Sequence, residues 1–214
     1  RQRCAGGETY TGQWHAGARG GFGEAQLGAE SYRGEWLSGR RHGQGTARET
    51  CGDTYTGAFA SGARHGQGEC TYATGDVYVG EWRCGGRGGR GECSYPPSSA
   101  GGGGTYSGEW ENDVWHGDGR FAAAGGHLYT GQWRNGLQHG RGRCEYADGV
   151  IYEGPWRSGR PQGEGALART GDGAPLGATR HELVHGLPNT VTAATPRGVT
   201  GPAAAALARP CTAP

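Results

Sequence analysis

The segment Tyr129-Thr-Gly131-Gln-Trp133 alternates large apolar and polar positions, the period of a strand with one apolar face. A second alternation, Gly142-Arg-Cys144-Glu-Tyr146, follows within ten residues. Between them, Asn135-Gly136-Leu137-Gln138-His139-Gly140 reads as a turn in which Gly supplies positive φ. Ala147-Asp148-Gly149 reads as the turn that closes the unit. Two alternating stretches and two turns predict one β-hairpin.

The same arrangement recurs seven times. Tyr10, Tyr32, Tyr55, Tyr78, Tyr106, Tyr129 and Tyr152 open the copies, at spacings of 22, 23, 23, 28, 23 and 23 residues. A fixed period of this size marks a repeat array, in which each unit buries its apolar face by stacking on its neighbours. Two residues after each Tyr stands a Gly without exception, and two further on stands Trp14, Trp36, Phe59, Trp82, Trp110, Trp133 or Trp156. The Gly between two rings is expected to leave room for a ring from the neighbouring hairpin. One hairpin is marginal in water, but seven in sequence make a continuous antiparallel sheet. The predicted fold is all-β: an elongated single-layer antiparallel sheet of stacked hairpins over residues 10–170, followed by a mostly irregular tail, 171–214. Residues 1–9 align with the end of a repeat and read as a partial upstream copy. Residues 96–104, with two Pro, two Ser and four Gly, read as a flexible loop insertion between copies four and five.

Composition changes this picture little. With 48 Gly and 10 Pro in 214 residues, the chain would otherwise suggest low complexity, but the period and the seven Trp overrule that. Residues 1–170 hold 18 Arg and 18 Asp plus Glu, so the array is neutral and lacks the basic excess of a nucleic-acid binder. No apolar run is long enough for a spanning helix. Of the seven Cys, Cys70, Cys93 and Cys144 share one slot with Ala25, Ala47, Phe121 and Leu167, so the slot reads as apolar core. Equivalent positions in adjacent hairpins lie roughly 10 Å apart, too far for a disulfide. Unpaired thiols point to a reducing compartment.

The whole pattern, Tyr-x-Gly-x-Trp-x-x-Gly-x-x-His-Gly-x-Gly, resembles the MORN repeat. That resemblance implies a groove-bearing single sheet acting as a non-enzymatic scaffold or adaptor for other proteins of a multi-subunit complex. It is similar above all to the MORN proteins of ciliary and flagellar radial spoke heads, which implies a cytoplasmic, axonemal setting. The alternatives are a membrane-peripheral module on acidic phospholipids, or a structural subunit of an organellar complex after loss of a targeting peptide.

Three candidate sites follow. The first is the aromatic face: Tyr10, Trp14, Tyr32, Trp36, Tyr55, Phe59, Tyr78, Trp82, Tyr106, Trp110, Trp115, Tyr129, Trp133, Tyr152 and Trp156. A single layer leaves such a face open to a partner helix or extended segment. The second is a row of arginines, Arg19, Arg41, Arg64 and Arg87, in one turn slot of copies one to four, where later copies put Trp115, Gln138 and Pro161. It reads as an edge for an anionic partner, or as a solvated turn balanced by Glu35, Glu69 and Glu81. The third is His181-Glu-Leu-Val-His185, which matches a zinc-hydrolase spelling. Gly186 and Pro188 would end its helix at once, and no His or acidic ligand follows, so no metal is assigned. The repeated His slot is filled by His42, His65, His116 and His139 but also by Gly20, Gly88 and Gln162, and reads as a structural turn. No catalytic residue, cofactor or nucleic-acid partner is expected.

Overall fold

In the computed structural model each repeat is two antiparallel strands joined by a two-residue turn. The structure describes residues 2–3, 7–99, 101–170 and 175–179. Within them lie β1 (Gln2–Arg3), β2 (Thr9–His15), β3 (Ala18–Leu27), β4 (Glu30–Leu37), β5 (Arg40–Arg48), β6 (Thr54–Ala60), β7 (Ala63–Thr71), β8 (Val77–Arg83) and β9 (Gly86–Tyr95). The chain continues through β10 (Gly104–Glu111), β11 (Val114–Ala123), β12 (Leu128–Arg134), β13 (Leu137–Glu145), β14 (Val150–Arg157), β15 (Arg160–Pro161), β16 (Gly165–Arg169) and β17 (Pro175–Thr179). There is no α-helix among the described residues.

Two compact units divide the chain inside β9, between Gly89 and Arg90. In the first, β1 to β8 pair in sequence order, every pair antiparallel. The second runs the same way from β10 to β14; β14 then pairs with both β15 and β16, and β16 with β17. Each unit is an open antiparallel sheet, as the alternation predicted. Copy seven splits its second strand, and Pro161, which has no N–H, ends the β15 fragment.

The hairpin turns are tighter than the sequence suggested. Ser38 and Gly39 both have positive φ, 49° and 78°, as a two-residue primed turn demands. Asn135-Gly136 repeats this, so the turn is two residues long and strand β13 already begins at Leu137. The stretch read as a six-residue turn is therefore strand containing a bulge. Gly34 faces Gly45, yet the next residue, Glu35, faces His42. Gly43 carries the bulge at φ 54°, and Glu35 Oε1 accepts a 2.8 Å bond from the Gln44 N–H that the bulge leaves outside the ladder. The His slot sits in this bulged strand rather than in a turn.

The core of each unit is its row of rings. The seven repeat tyrosines are at most 4% exposed, and Cys70, Cys93 and Cys144 are fully buried, as the apolar reading of their slot required.

Candidate functional site

Each repeat Tyr lies flat over its own hairpin. A Cβ on Gly57 would come within 2.5 Å of Gly68 Cα and 2.7 Å of the Tyr55 hydroxyl oxygen. One on Gly68 would fall 2.3 Å from that same oxygen. The paired glycines therefore make room for the ring of their own repeat, not for one from the neighbouring hairpin. The hydroxyl then reaches past them and donates to the carbonyl three residues on: Tyr55 to Ala58 at 2.9 Å, Tyr129 to Gln132 at 3.0 Å.

The Trp does join neighbours, through its indole. Trp36 Nε1 donates to the Gly23 carbonyl of the preceding copy at 3.1 Å; Trp82 does so to Gly68, Trp110 to Gly91, Trp133 to Gly119 and Trp156 to Gly142. Between these bonds Tyr10, Tyr32, Tyr55, Tyr106 and Tyr129 each stand edge-on between the ring of their own Trp slot and that of the next copy. Tyr55 is 5.0 Å from Phe59 and 5.1 Å from Trp82, at interplanar angles of 87° and 83°. Tyr129 stands likewise between Trp133 and Trp156. Perpendicular pairs at this distance are favourable for ring quadrupoles, at about 1 kcal/mol each. In each unit the result is a zigzag ladder of rings, tied to the backbone through Trp36 and Trp82 in the first and Trp110, Trp133 and Trp156 in the second.

Of the aromatic residues expected on the sheet face, Trp14 is 40% exposed and the others are buried. They contact one another, the chain's own backbone and, in the first unit, the guanidiniums of the arginine row. Trp115 is in strand β11 opposite Trp110, two residues past the Asn112-Asp113 turn, and it stacks on Tyr106 at 4.5 Å with the planes 3° apart. Its indole donates to the Tyr95 hydroxyl at 3.2 Å.

Arginines 19, 41 and 64 are also in strands, paired with Trp14, Trp36 and Phe59. They lie on the ring ladder. The Arg19 guanidinium sits 5.0 Å above Tyr10 and 4.9 Å above Trp36, and Arg64 lies 5.1 Å above both Tyr55 and Trp82. Arg41 covers Tyr32 and Phe59, and Arg87 covers Tyr72 and Tyr78. Their acidic partners are Glu8 for Arg19 and Glu49 for both Arg41 and Arg64. Glu35, expected to balance them, instead caps its bulge on the opposite face, and sequence reasoning missed Glu8 and Glu49. The row's backbone also stitches copies together. The carbonyls of Arg19, Arg41 and Arg64 accept from the turn glycines Gly39, Gly62 and Gly85 of the following copy, each at 2.9 Å. Trp115 and Gln138 do the same for Gly136 and Gly159.

Burial lifts the acid groups in this layer. It pushes the Tyr32 and Tyr55 hydroxyls up to about 12, with Arg41 and Arg64 pulling them partly back. The Cys70 thiol rises to about 11 for the same reason, although Arg64 Nη1 lies 3.3 Å from its sulfur. Thiols held protonated in this way are poor nucleophiles.

No group of three or more His, Cys, Asp or Glu that could hold a metal lies among the described residues. The His181–His185 segment and the rest of the tail beyond residue 179 fall outside them.

No curated protein matches the chain. A family model does: the MORN repeat matches residues 10–26, 32–48, 55–77, 78–99, 106–127, 129–151 and 152–168. These segments open on or beside the same seven tyrosines and cover most of the chain, and the chain belongs to the MORN-repeat family.

Proposed function

We propose that this chain is a non-enzymatic scaffold that docks partner proteins in a larger assembly. MORN repeats serve protein or membrane-lipid interactions and are generally non-catalytic. One observation carries the reading here. The recurring Tyr, Gly and Trp slots are spent on the ring ladder and its backbone bonds, so they build the sheet and leave recognition to the positions that vary. The varying positions lie over the ladder: arginines in the first unit, Trp115, Gln138 and Pro161 in the second.

The setting in a ciliary or flagellar axoneme, as part of a radial spoke head, rests on family resemblance alone. A membrane-peripheral role on acidic phospholipid is the second reading, and the arginine row favours it. Against it, the guanidiniums lie flat on rings, and the Arg19, Arg41 and Arg64 side chains are only 14–20% exposed. A planar charge so embedded suits a partner that reaches in, more than a headgroup layer.

Affinity purification from native material, followed by cross-linking and by flotation with phosphatidylserine vesicles, separates the two. A stoichiometric protein complex without vesicle binding is the expected result. Vesicle binding with no protein partner would reject the scaffold reading.

A further inference from the structure

Within the second unit each copy is completed by its successor. Trp133 and Trp156 give their indoles to the Gly119 and Gly142 carbonyls of the copies before them, and the turn glycines Gly136 and Gly159 give their N–H groups to the Trp115 and Gln138 carbonyls. Copy seven has no such successor among the described residues. In its place β17 pairs with β16 at three positions, and the register shifts between Ala166 and Ala168, so that no residue stands opposite Leu167. Leu167 is half-buried, whereas Phe121 and Cys144 in the same slot are at most 7% exposed. Tyr152 meets the one ring of Trp156, where Tyr106 and Tyr129 also meet the ring of the next copy. Among the described residues no indole donates to the Gly165 carbonyl and no turn N–H to that of Pro161. Copy one holds the converse donors. Trp14 is 40% exposed, and neither its indole nor the Gly17 N–H has an acceptor among the described residues. β1 pairs with Thr9 and Tyr10 alone, so the outer edge of β2 lacks a described neighbour from Gly12 onward.

We infer that a second copy of this chain docks on this trailing edge, adding its β2 to β16 in place of β17. The two edges match one for one. The register that sets Tyr152, Gly154 and Trp156 opposite Cys144, Gly142 and Gly140 would set Tyr10, Gly12 and Trp14 opposite Leu167, Gly165 and Gly163. Gly163 already has the bulge conformation of Gly140, with φ 64° against 59°. Trp14 would then reach the Gly165 carbonyl and stand beside Tyr152, and Gly17 would reach the Pro161 carbonyl. An added strand gains main-chain bonds at an edge that otherwise leaves them to water. β1, two residues long, and β17, five residues long, are the short caps that yield. The donor edge and the acceptor edge differ, so the contact is head to tail. Each joined pair keeps one edge of each kind, and association continues as heterologous contacts do. This self-association goes beyond the scaffold reading and does not depend on it.

The test is sedimentation velocity of the full chain over a range of concentrations, with thermal melts confirming that each variant is folded. Species larger than the monomer are expected to grow with concentration. Of two adjacent strand residues, one points its N–H at the partner strand, so Ala178→Pro/Thr179→Pro loosens β17 in either case and should tighten association about fivefold. Trp14→Ala and Leu167→Arg, one at each edge, should each abolish it. Mixed together, these two variants should form one-to-one pairs and nothing larger, because each retains the edge that the other has lost. Leu37→Arg, at an exposed leucine on an inner strand, should change nothing. A monomer at every concentration, for the wild type and the proline variant alike, would overturn the inference. So would association that survives Trp14→Ala, a mixture that fails to pair, or an equal loss from Leu37→Arg. None of these results bears on other partner proteins, whose capture tests the scaffold reading separately.

Discussion

The two units are built on one ladder and roofed differently. In the first, Tyr32 and Tyr55 lie under Arg41 and Arg64; in the second, Tyr106 lies under Trp115. Beneath that layer the geometry barely changes. Trp82 and Trp133 both donate to a glycine carbonyl of the preceding copy at 3.1 Å, and Gly57 and Gly108 both face a glycine 2.5 Å from where their Cβ would be. The contrast separates two kinds of position. Those within the ladder are fixed by backbone contact, where no other side chain fits. The residues opposite Trp14, Trp36, Phe59, Trp110 and Trp133 give their carbonyls to the next copy in either unit, so any side chain that covers the ring is tolerated there. It can therefore be charged in one unit and apolar in the other.

Deleting the roof should expose that difference most strongly. Trp115→Ala removes a buried ring that touches Tyr95, Tyr106, Trp110, Phe121 and Trp133, and should cost about 3–5 kcal/mol in the second unit. Arg41→Ala removes a partly exposed guanidinium over two rings and should cost only about 1 kcal/mol in the first. Chemical denaturation monitored by tryptophan fluorescence reads both. Equal costs would mean that the arginine is as structural as the Trp.

Substitutions inside the ladder should instead erase the difference. Gly57→Val and Gly108→Val each drive a side chain into a facing glycine backbone and a tyrosine hydroxyl, at about 3 kcal/mol or more in either unit. A well-tolerated Val at one site, measured by the same denaturation, would show that the two ladders are not equivalent.

Much of this was legible beforehand. Alternation revealed the strands, and the shared Cys, Ala, Phe and Leu slot revealed a core position. The bulge was not legible, because Gly43 and its counterparts break the period of two just where a turn would. His42 and Arg41 were consequently placed in a turn rather than in strand β5. Nor could periodicity show which ring a glycine faces, since Tyr55 and a neighbour's Trp would ask for the same missing Cβ. The carboxylates on the arginine row were hidden for another reason. Glu49 stands 15 residues from Arg64, in a slot where other copies put Tyr72, Tyr95 and Tyr146, and Glu8 stands 11 from Arg19; its slot, shared with Glu30, Asp53 and Asp76 two residues before the repeat Tyr, is the signal that could have found it.

One irregular rung sharpens the comparison further. Phe59 has no N–H to offer the Gly45 carbonyl, where other copies place an indole. Phe59→Trp should stabilise the first unit by about 1 kcal/mol, visible as a higher melting temperature. A neutral or lower melting point would mean that this rung has closed around the smaller ring.

The last contrast concerns pH. The folded hydroxyls of Tyr32 and Tyr55 are raised to about 12, against about 10 in the unfolded chain. Between those values the unfolded state has released protons that the folded state keeps, so stability falls as pH rises through that window and is fully present below it. Absorbance of tyrosinate during alkaline titration should lag behind that of free tyrosine until unfolding. Tyr32→Phe and Tyr55→Phe should shrink the pH dependence, at the loss of the hydroxyl's contacts with the Glu35 and His42 carbonyls in the one and the Ala58 carbonyl in the other.

The claim underneath all of these is that the repeat aromatics bind the chain's own backbone and are not waiting for a partner. Hydrogen exchange of the six indole N–H groups in the Trp slot of the free protein, followed by NMR, tests it most directly. Trp36, Trp82, Trp110, Trp133 and Trp156 should exchange slowly and Trp14, 40% exposed, quickly. Six indoles exchanging at one fast rate would contradict the ladder and return the aromatic face to the partner.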